Sequence, residues 1–178
     1  MKVYLDINES GVVESWGSSP LHDTSIEIDI NDDHPFFNDN PFQYKYVNGT
    51  LTKDAVLELE KAKENKFIEL RRECENEILG YFEATVDSVV YLFSFDMEAQ
   101  QNFNSTLAFF NEGLINEVEW TAHRDGKAHR IVLNKAQFLD VAIASIHHRT
   151  SKQRKLRNTL QPSLDAADSV ADVEIIEW

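Results

Sequence analysis

Glu117-Val-Glu-Trp-Thr-Ala-His-Arg-Asp-Gly-Lys-Ala-His-Arg-Ile-Val-Leu-Asn134 carries the clearest structural instruction in the chain. Asp125-Gly126 suits a two-residue type I′ turn, which needs positive φ at both central positions, a conformation glycine adopts without steric penalty. Such a turn sets Trp120 opposite Ile131 and Val118 opposite Leu133, giving a β-hairpin with one apolar face. Glu119, Thr121, His123 and Arg130 then fall on the other face. Asn134, followed three residues later by Gln137, has the spacing of a capping box. It predicts a long helix to about Leu160, with Pro162 as its stop.

Upstream, β-branched and aromatic residues from Val89 to Phe95 predict a strand. Asp96 is placed to cap a helix to about Asn111, with Phe103, Leu107 and Phe110 on one face and Gly113 beyond its end. Residues 52–79 read as one long helix. Val56, Leu59, Phe67, Leu70, Cys74 and Ile78 recur at helical spacing, with Lys63 filling a gap in the stripe. Thr52 is the expected cap and Gly80 the expected terminator. Downstream, Ser169 predicts a single helical turn, and Val173–Trp178 a closing strand.

The first 51 residues read as β. Val3, Leu5 and Ile7 alternate with polar or amphipathic residues, as do Ile26, Ile28 and Ile30. Asn8–Gly11 is a turn signal before Val12–Trp16, and Asn48-Gly49 suits a type I′ hairpin turn. The expected fold is α+β: an N-terminal antiparallel β meander (residues 1–51), a connecting helix (52–80), and a C-terminal lobe of two or more helices with a β-hairpin (81–178). The sequence shows no internal repeat.

The chain has 178 residues, 42% hydrophobic and 27% charged, ordinary values for a globular protein. Its apolar runs are too short for a membrane helix. Met1–Asp6 lacks the apolar core of a signal peptide, and the single cysteine, Cys74, has no intrachain partner, so a reducing compartment is expected. Net charge is −14, unevenly spread. Residues 81–122 hold seven acids and no Lys or Arg, whereas residues 123–160 hold nine basic groups against two acids. A surface this acidic repels phosphate over most of its area, which argues against nucleic acid as a partner.

No residue pattern specifies catalysis or a cofactor. Asp29, Asn31 and Asp33 have the opening spacing of a calcium loop, but His34 stands where that loop needs glycine and Asn40 where it needs glutamate. The six histidines have no ligand spacing for zinc. Cys74 lies on an apolar stripe beside Arg71 and Arg72, with no base to activate it. Two stretches are candidates for partner binding. The aromatics Phe36, Phe37 and Phe42 either anchor a partner or fill the meander's core. Arg154, Lys155 and Arg157 form a basic helix end, which also complements the helix dipole.

Lys61 to Trp178 resembles a family of small bacteriophage proteins encoded beside tail-fibre and baseplate genes. The resemblance is carried by Asp96-Met-Glu-Ala-Gln-Gln-Asn102, Trp120-Thr-Ala122 and Val132-Leu-Asn-Lys-Ala-Gln-Phe138, with Lys61–Leu79, Val89–Phe95 and Val173–Trp178 around them. The first 50 residues are similar, more loosely, to β modules that begin phage tail-tip proteins. In layout the chain is also similar to tail-fibre assembly proteins. The resemblance implies a non-enzymatic protein that binds a tail-fibre or receptor-binding protein, as assembly chaperone or accessory tail-tip component. Such a protein acts in the bacterial host cytoplasm during assembly or stays in the virion tail, alone or as a homo-oligomer. A purely structural baseplate subunit is the alternative. A cell-wall hydrolase or a nucleic-acid-binding phage protein is the lesser one.

Overall fold

The computed structural model describes residues 1–178, and the chain is α+β. It divides into two compact units: Met1–Lys66 with Leu164–Ile175, and Phe67–Ser163 with Ile176–Trp178. The division falls inside a single helix, α1 (Ala55–Ile78), rather than at either of its ends.

In the first unit, β1 (Lys2–Ile7) is central, with β2 (Val13–Gly17) and β3 (Ile26–Asp29) antiparallel on either side. A meander would place β2 in the middle. Instead β3 crosses to the free side of β1, pairing Val3 with Ile28 and Leu5 with Ile26. This alignment buries Val3, Leu5 and Ile28 together. A separate hairpin, β4 (Tyr44–Val47) and β5 (Thr50–Lys53), turns at Asn48-Gly49 with both φ positive, as the dipeptide requires. Gly11 joins hairpin to sheet: its carbonyl accepts from the Tyr46 amide at 2.8 Å. Its φ is +79°, and a Cβ there would meet the Tyr46 carbonyl oxygen at 2.8 Å, so only glycine permits this approach.

The start of α1 is capped by Asp54, whose Oδ1 accepts from the amides of Val56 and Leu57 at 2.9 and 3.1 Å. Thr52, the expected cap, is part of β5. Nor does Gly80 end the helix in a left-handed conformation. The last carbonyls of α1 are met by His148 instead, whose Nε2 lies 3.0 Å from the Glu77 oxygen and 3.2 Å from that of Ile78. Carbonyls only accept, so Nε2 carries the proton and this histidine is a helix cap rather than a solvated side chain.

The second unit repeats one motif, a hairpin followed by a helix. First come β6 (Tyr81–Val86), β7 (Val89–Ser94) and α2 (Met97–Asn111). Then come β8 (Glu117–Arg124), β9 (Lys127–Asn134) and α3 (Lys135–Lys155). The four strands form one antiparallel sheet in chain order. Each hairpin turns through two positive-φ residues, Asp87-Ser88 and Asp125-Gly126. Each helix opens on a side-chain cap: Asp96 accepts from Ala99, and Asn134 and Gln137 form the full capping box. The hairpin register is the expected one, Trp120 with Ile131 and Val118 with Leu133. Phe82, Ala84, Phe93, Ala122 and Leu133 line the inner face of the sheet, where Phe103, Phe110, Phe138 and Val141 of the helices close on them. The Phe103 ring lies 4.5 Å from that of Trp120, tilted by 32°, and Phe138 lies 5.3 Å from Phe110.

The chain stays helical through Pro162. Leu156–Leu160 form a π-helical turn, in which the Gln161 amide reaches back to the Leu156 carbonyl, and α4 (Gln161–Ala166) continues from it. The proline has no N–H to contribute near a helix start, and the widened turn relieves its ring against the preceding carbonyls. The closing strand is absent. Val173 is buried in α5 (Val170–Glu174), capped by Ser169, while Ile176 and Trp178 pack on Leu70, Cys74, Leu156 and Leu160. No helix is long and apolar enough to cross a membrane.

Candidate functional site

The aromatic candidates separate in space. Phe36 is fully buried, with the rings of Trp16, Phe37 and Tyr44 at 5.3, 5.8 and 5.2 Å. A fully buried position among three other aromatic rings cannot offer Phe36 to a partner, which corrects its candidacy. Phe37 is half-buried in the same cluster. Phe42 alone is a surface residue, 55% exposed.

The basic helix end is partly spent inside the second unit. Lys152 Nζ pairs with Glu77 at 2.6 Å, and the lysine holds that carboxyl below its usual range. Lys155 Nζ lies 4.7 Å from the centre of the Trp178 ring, a cation–π contact. Arg154 and Arg157 are exposed. Burial raises the Cys74 thiol above its ordinary value, so the cysteine stays protonated and inert at neutral pH.

The carboxylates with resolved shifts are all held low by structural bonds. Asp6 accepts from Ser15 Oγ at 2.5 Å and Ser25 Oγ at 2.6 Å, with His22 Nδ1 at 3.0 Å, and these bonds pull its pKa down to about 2. Asp39 accepts from Tyr44 and Lys53, while burial and that same bond push the Tyr44 hydroxyl up to about 12. Asp29 belongs to β3, and no cluster of three or more His, Cys, Asp or Glu side chains is placed to hold a metal ion.

The distinctive surface lies in the four-stranded sheet, where its halves meet. β7 pairs with β8 at one register position, Leu92 with His123. Strand lengths account for the stretch beyond it: in this register Ser94, the last residue of β7, falls opposite Thr121 and the chain turns away into the Asp96 cap, whereas β8 begins at Glu117. Backbone alternation then fixes what is left open. Across a two-residue turn the flanking pair, Arg124 and Lys127, exchanges both hydrogen bonds. Val118, Trp120 and Ala122 therefore direct their amides and carbonyls to β9. Glu117, Glu119, Thr121 and His123 direct theirs the other way, toward the line of β7. His123 meets Leu92 there; Glu117 and Glu119 lie past the end of β7 and meet no strand.

A groove of about 490 Å³ runs along this open stretch, between Val118–Thr121 and the flank of α2. Its walls include the carboxylates of Asp96, Glu98 and Glu119 and no Lys or Arg. Asp96 is fixed by Ser94 Oγ at 2.6 Å and by the Ala99 amide, which hold its pKa low. Glu119 is paired with Arg130 at 2.7 Å across the β8–β9 ladder, both side chains largely exposed. On the outer face of the sheet, the Tyr81 and His123 rings meet at 5.2 Å, beside the exposed side chain of Leu92.

This groove is not legible in the sequence. The unequal lengths of the two hairpins are written in the chain, but the single pairing position between them is a tertiary fact. No family model matches the chain, and no curated protein or solved structure matches it either.

Proposed function

We propose that this chain is a non-enzymatic binding protein of a phage tail module, which holds a tail-fibre or receptor-binding protein during assembly or in the tail tip. The observation that carries the binding reading is the half-paired strand β8: a stretch of sheet edge left open beside a preformed groove. Exposed edges are normally blunted or covered, because unpaired amides and carbonyls template strand pairing. The resemblance of Lys61–Trp178 to small phage tail proteins supports the choice of partner. An acidic, well-charged surface suits a chain that must stay soluble while holding a fibrous partner.

Co-expression with the tail-fibre protein of the same phage tests this reading. The yield of soluble fibre trimer is expected to rise with the chain present; an unchanged yield contradicts the assembly role. Mass spectrometry of purified virions separates the two settings, since a tail-tip component is found in particles and a chaperone is not.

A further inference from the structure

We propose that the groove beside β8 binds an extended, cationic segment of a partner protein, which adds to the sheet as a strand in line with β7. The inference rests on the binding reading above and names the chemistry of the partner. Three features of the groove lead to it.

Main-chain geometry comes first. Glu117 and Glu119 present amides and carbonyls toward a space that β7 vacates at Ser94. From Val118 to Thr121 the wall extends roughly 10 Å at ~3.3 Å per residue, enough for an added strand to make a short ladder. Strand addition draws its affinity from such main-chain bonds and its specificity from alternate side chains.

Charge selects the occupant. Asp96, Glu98 and Glu119 line the groove and no lysine or arginine does; Glu119 is paired with Arg130 across the β8–β9 ladder, and Asp96 and Glu98 have no such cation. Residues 81–122, which supply every wall of the groove, hold seven acids and no base. A segment with lysine or arginine at alternate positions places its cations over these carboxylates. An acidic segment meets like charge directly across the new ladder, which is destabilising.

Access is the third feature. Along the α2 flank of the groove Ala99, Asn102 and Ser105 are small or polar and leave room for a backbone to approach, with Phe109 as the bulky residue toward the helix C-terminus. A copy of this chain's own β8 brings Glu117 and Glu119 against Glu117 and Glu119, so charge works against pairing of two copies through this edge.

The test is a fluorescence-anisotropy titration of the full chain with a labelled peptide, Lys-Val repeated four times. Binding is expected, weakening at least tenfold between 50 and 300 mM salt. Glu-Val repeated four times is expected not to bind. Methylating the peptide's alternate backbone nitrogens removes the donors of an added strand and is expected to weaken binding at least tenfold. Glu119→Lys and Glu98→Lys each weaken it by a similar factor, whereas Glu73→Lys on α1 leaves it unchanged; circular dichroism confirms that each variant is folded. Equal binding of the acidic peptide overturns the proposal. So does indifference to N-methylation, or a loss with Glu73→Lys as large as with Glu98→Lys, since either marks unspecific attraction to an acidic protein. Self-association in sedimentation velocity that Glu119→Lys abolishes assigns the groove to a second copy, and also overturns it. The titration needs no phage partner, so its failure removes strand addition and leaves the tail-fibre reading to its own co-expression test.

Discussion

Replacing Ser88 by glycine should stabilise the protein, and the size of the effect follows from the turn. Asp87 and Ser88 both have positive φ, +50° and +66°. A residue with a Cβ in the left-handed region is strained by about 1–2 kcal/mol. Glycine removes that strain but adds freedom to the unfolded chain, at a cost of about 0.5–1 kcal/mol. Strain is the larger quantity, so Ser88→Gly should gain about 0.75 kcal/mol, the difference between the midpoints of those ranges. Asp87 should be kept. Its Oδ1 accepts from Gln137 Nε2 at 2.9 Å, and Asp-Gly is the pair already used at the second turn. In a chain of this length such a gain raises the melting temperature by roughly 1–4 °C. The reverse change calibrates the reasoning. Gly126 has φ +72°, and a Cβ there meets nothing within 4 Å, so Gly126→Ser has only a conformational cost and should lose about the same amount. Both are read from thermal melts by circular dichroism under one buffer. A melting temperature that falls with Ser88→Gly, or rises with Gly126→Ser, refutes the account of these turns.

Two further outcomes are expected. Phe36→Ala should cost about 3–5 kcal/mol in urea denaturation, because a fully buried ring at the centre of an aromatic cluster leaves a cavity, while Phe42→Ala, at an exposed position, should lie within about 0.5 kcal/mol of the parent. Asp6 has a folded pKa of about 2, below the ~3.9 of an unfolded aspartate, so its contribution is complete above the unfolded value and is lost as pH falls toward the folded one. Asp6→Asn should therefore flatten the stability–pH curve between about pH 4 and pH 2; an unaltered slope contradicts the Ser15, Ser25 and His22 network.

Local signals in the sequence reached the second unit well, where they were strong. Asp125-Gly126, Asn134 with Gln137, and Asp96 each name a short-range hydrogen bond or a backbone conformation, and the structure contains all three. β6 shows a missed local signal. Tyr81–Val86 alternates cleanly between exposed and buried positions, but its turn, Asp87-Ser88, lacks the glycine that makes a hairpin easy to read. The order β2-β1-β3 was illegible for another reason: both orders bury the same alternating residues, and only non-local packing chooses between them. Pro162 reads as a stop because the π-turn that accommodates it leaves no mark in composition. Of the six partner-binding candidates, the aromatic run did not reveal that Phe36 alone reaches the centre of the core, whereas the basic helix end did fall on the surface. The groove depends on where β7 stops relative to β8, which two correctly read strands do not convey.

The open edge of β8 is tested most directly by amide hydrogen exchange resolved residue by residue in the protein alone. Trp120 and Ala122 direct their amides to β9 and should be protected, while the amides of Glu117 and Glu119 should exchange at least tenfold faster and slow down when the Lys-Val peptide is added. Protection of Glu119 equal to that of Trp120 in the free protein would mean that the edge is already covered, and would contradict the account at its centre.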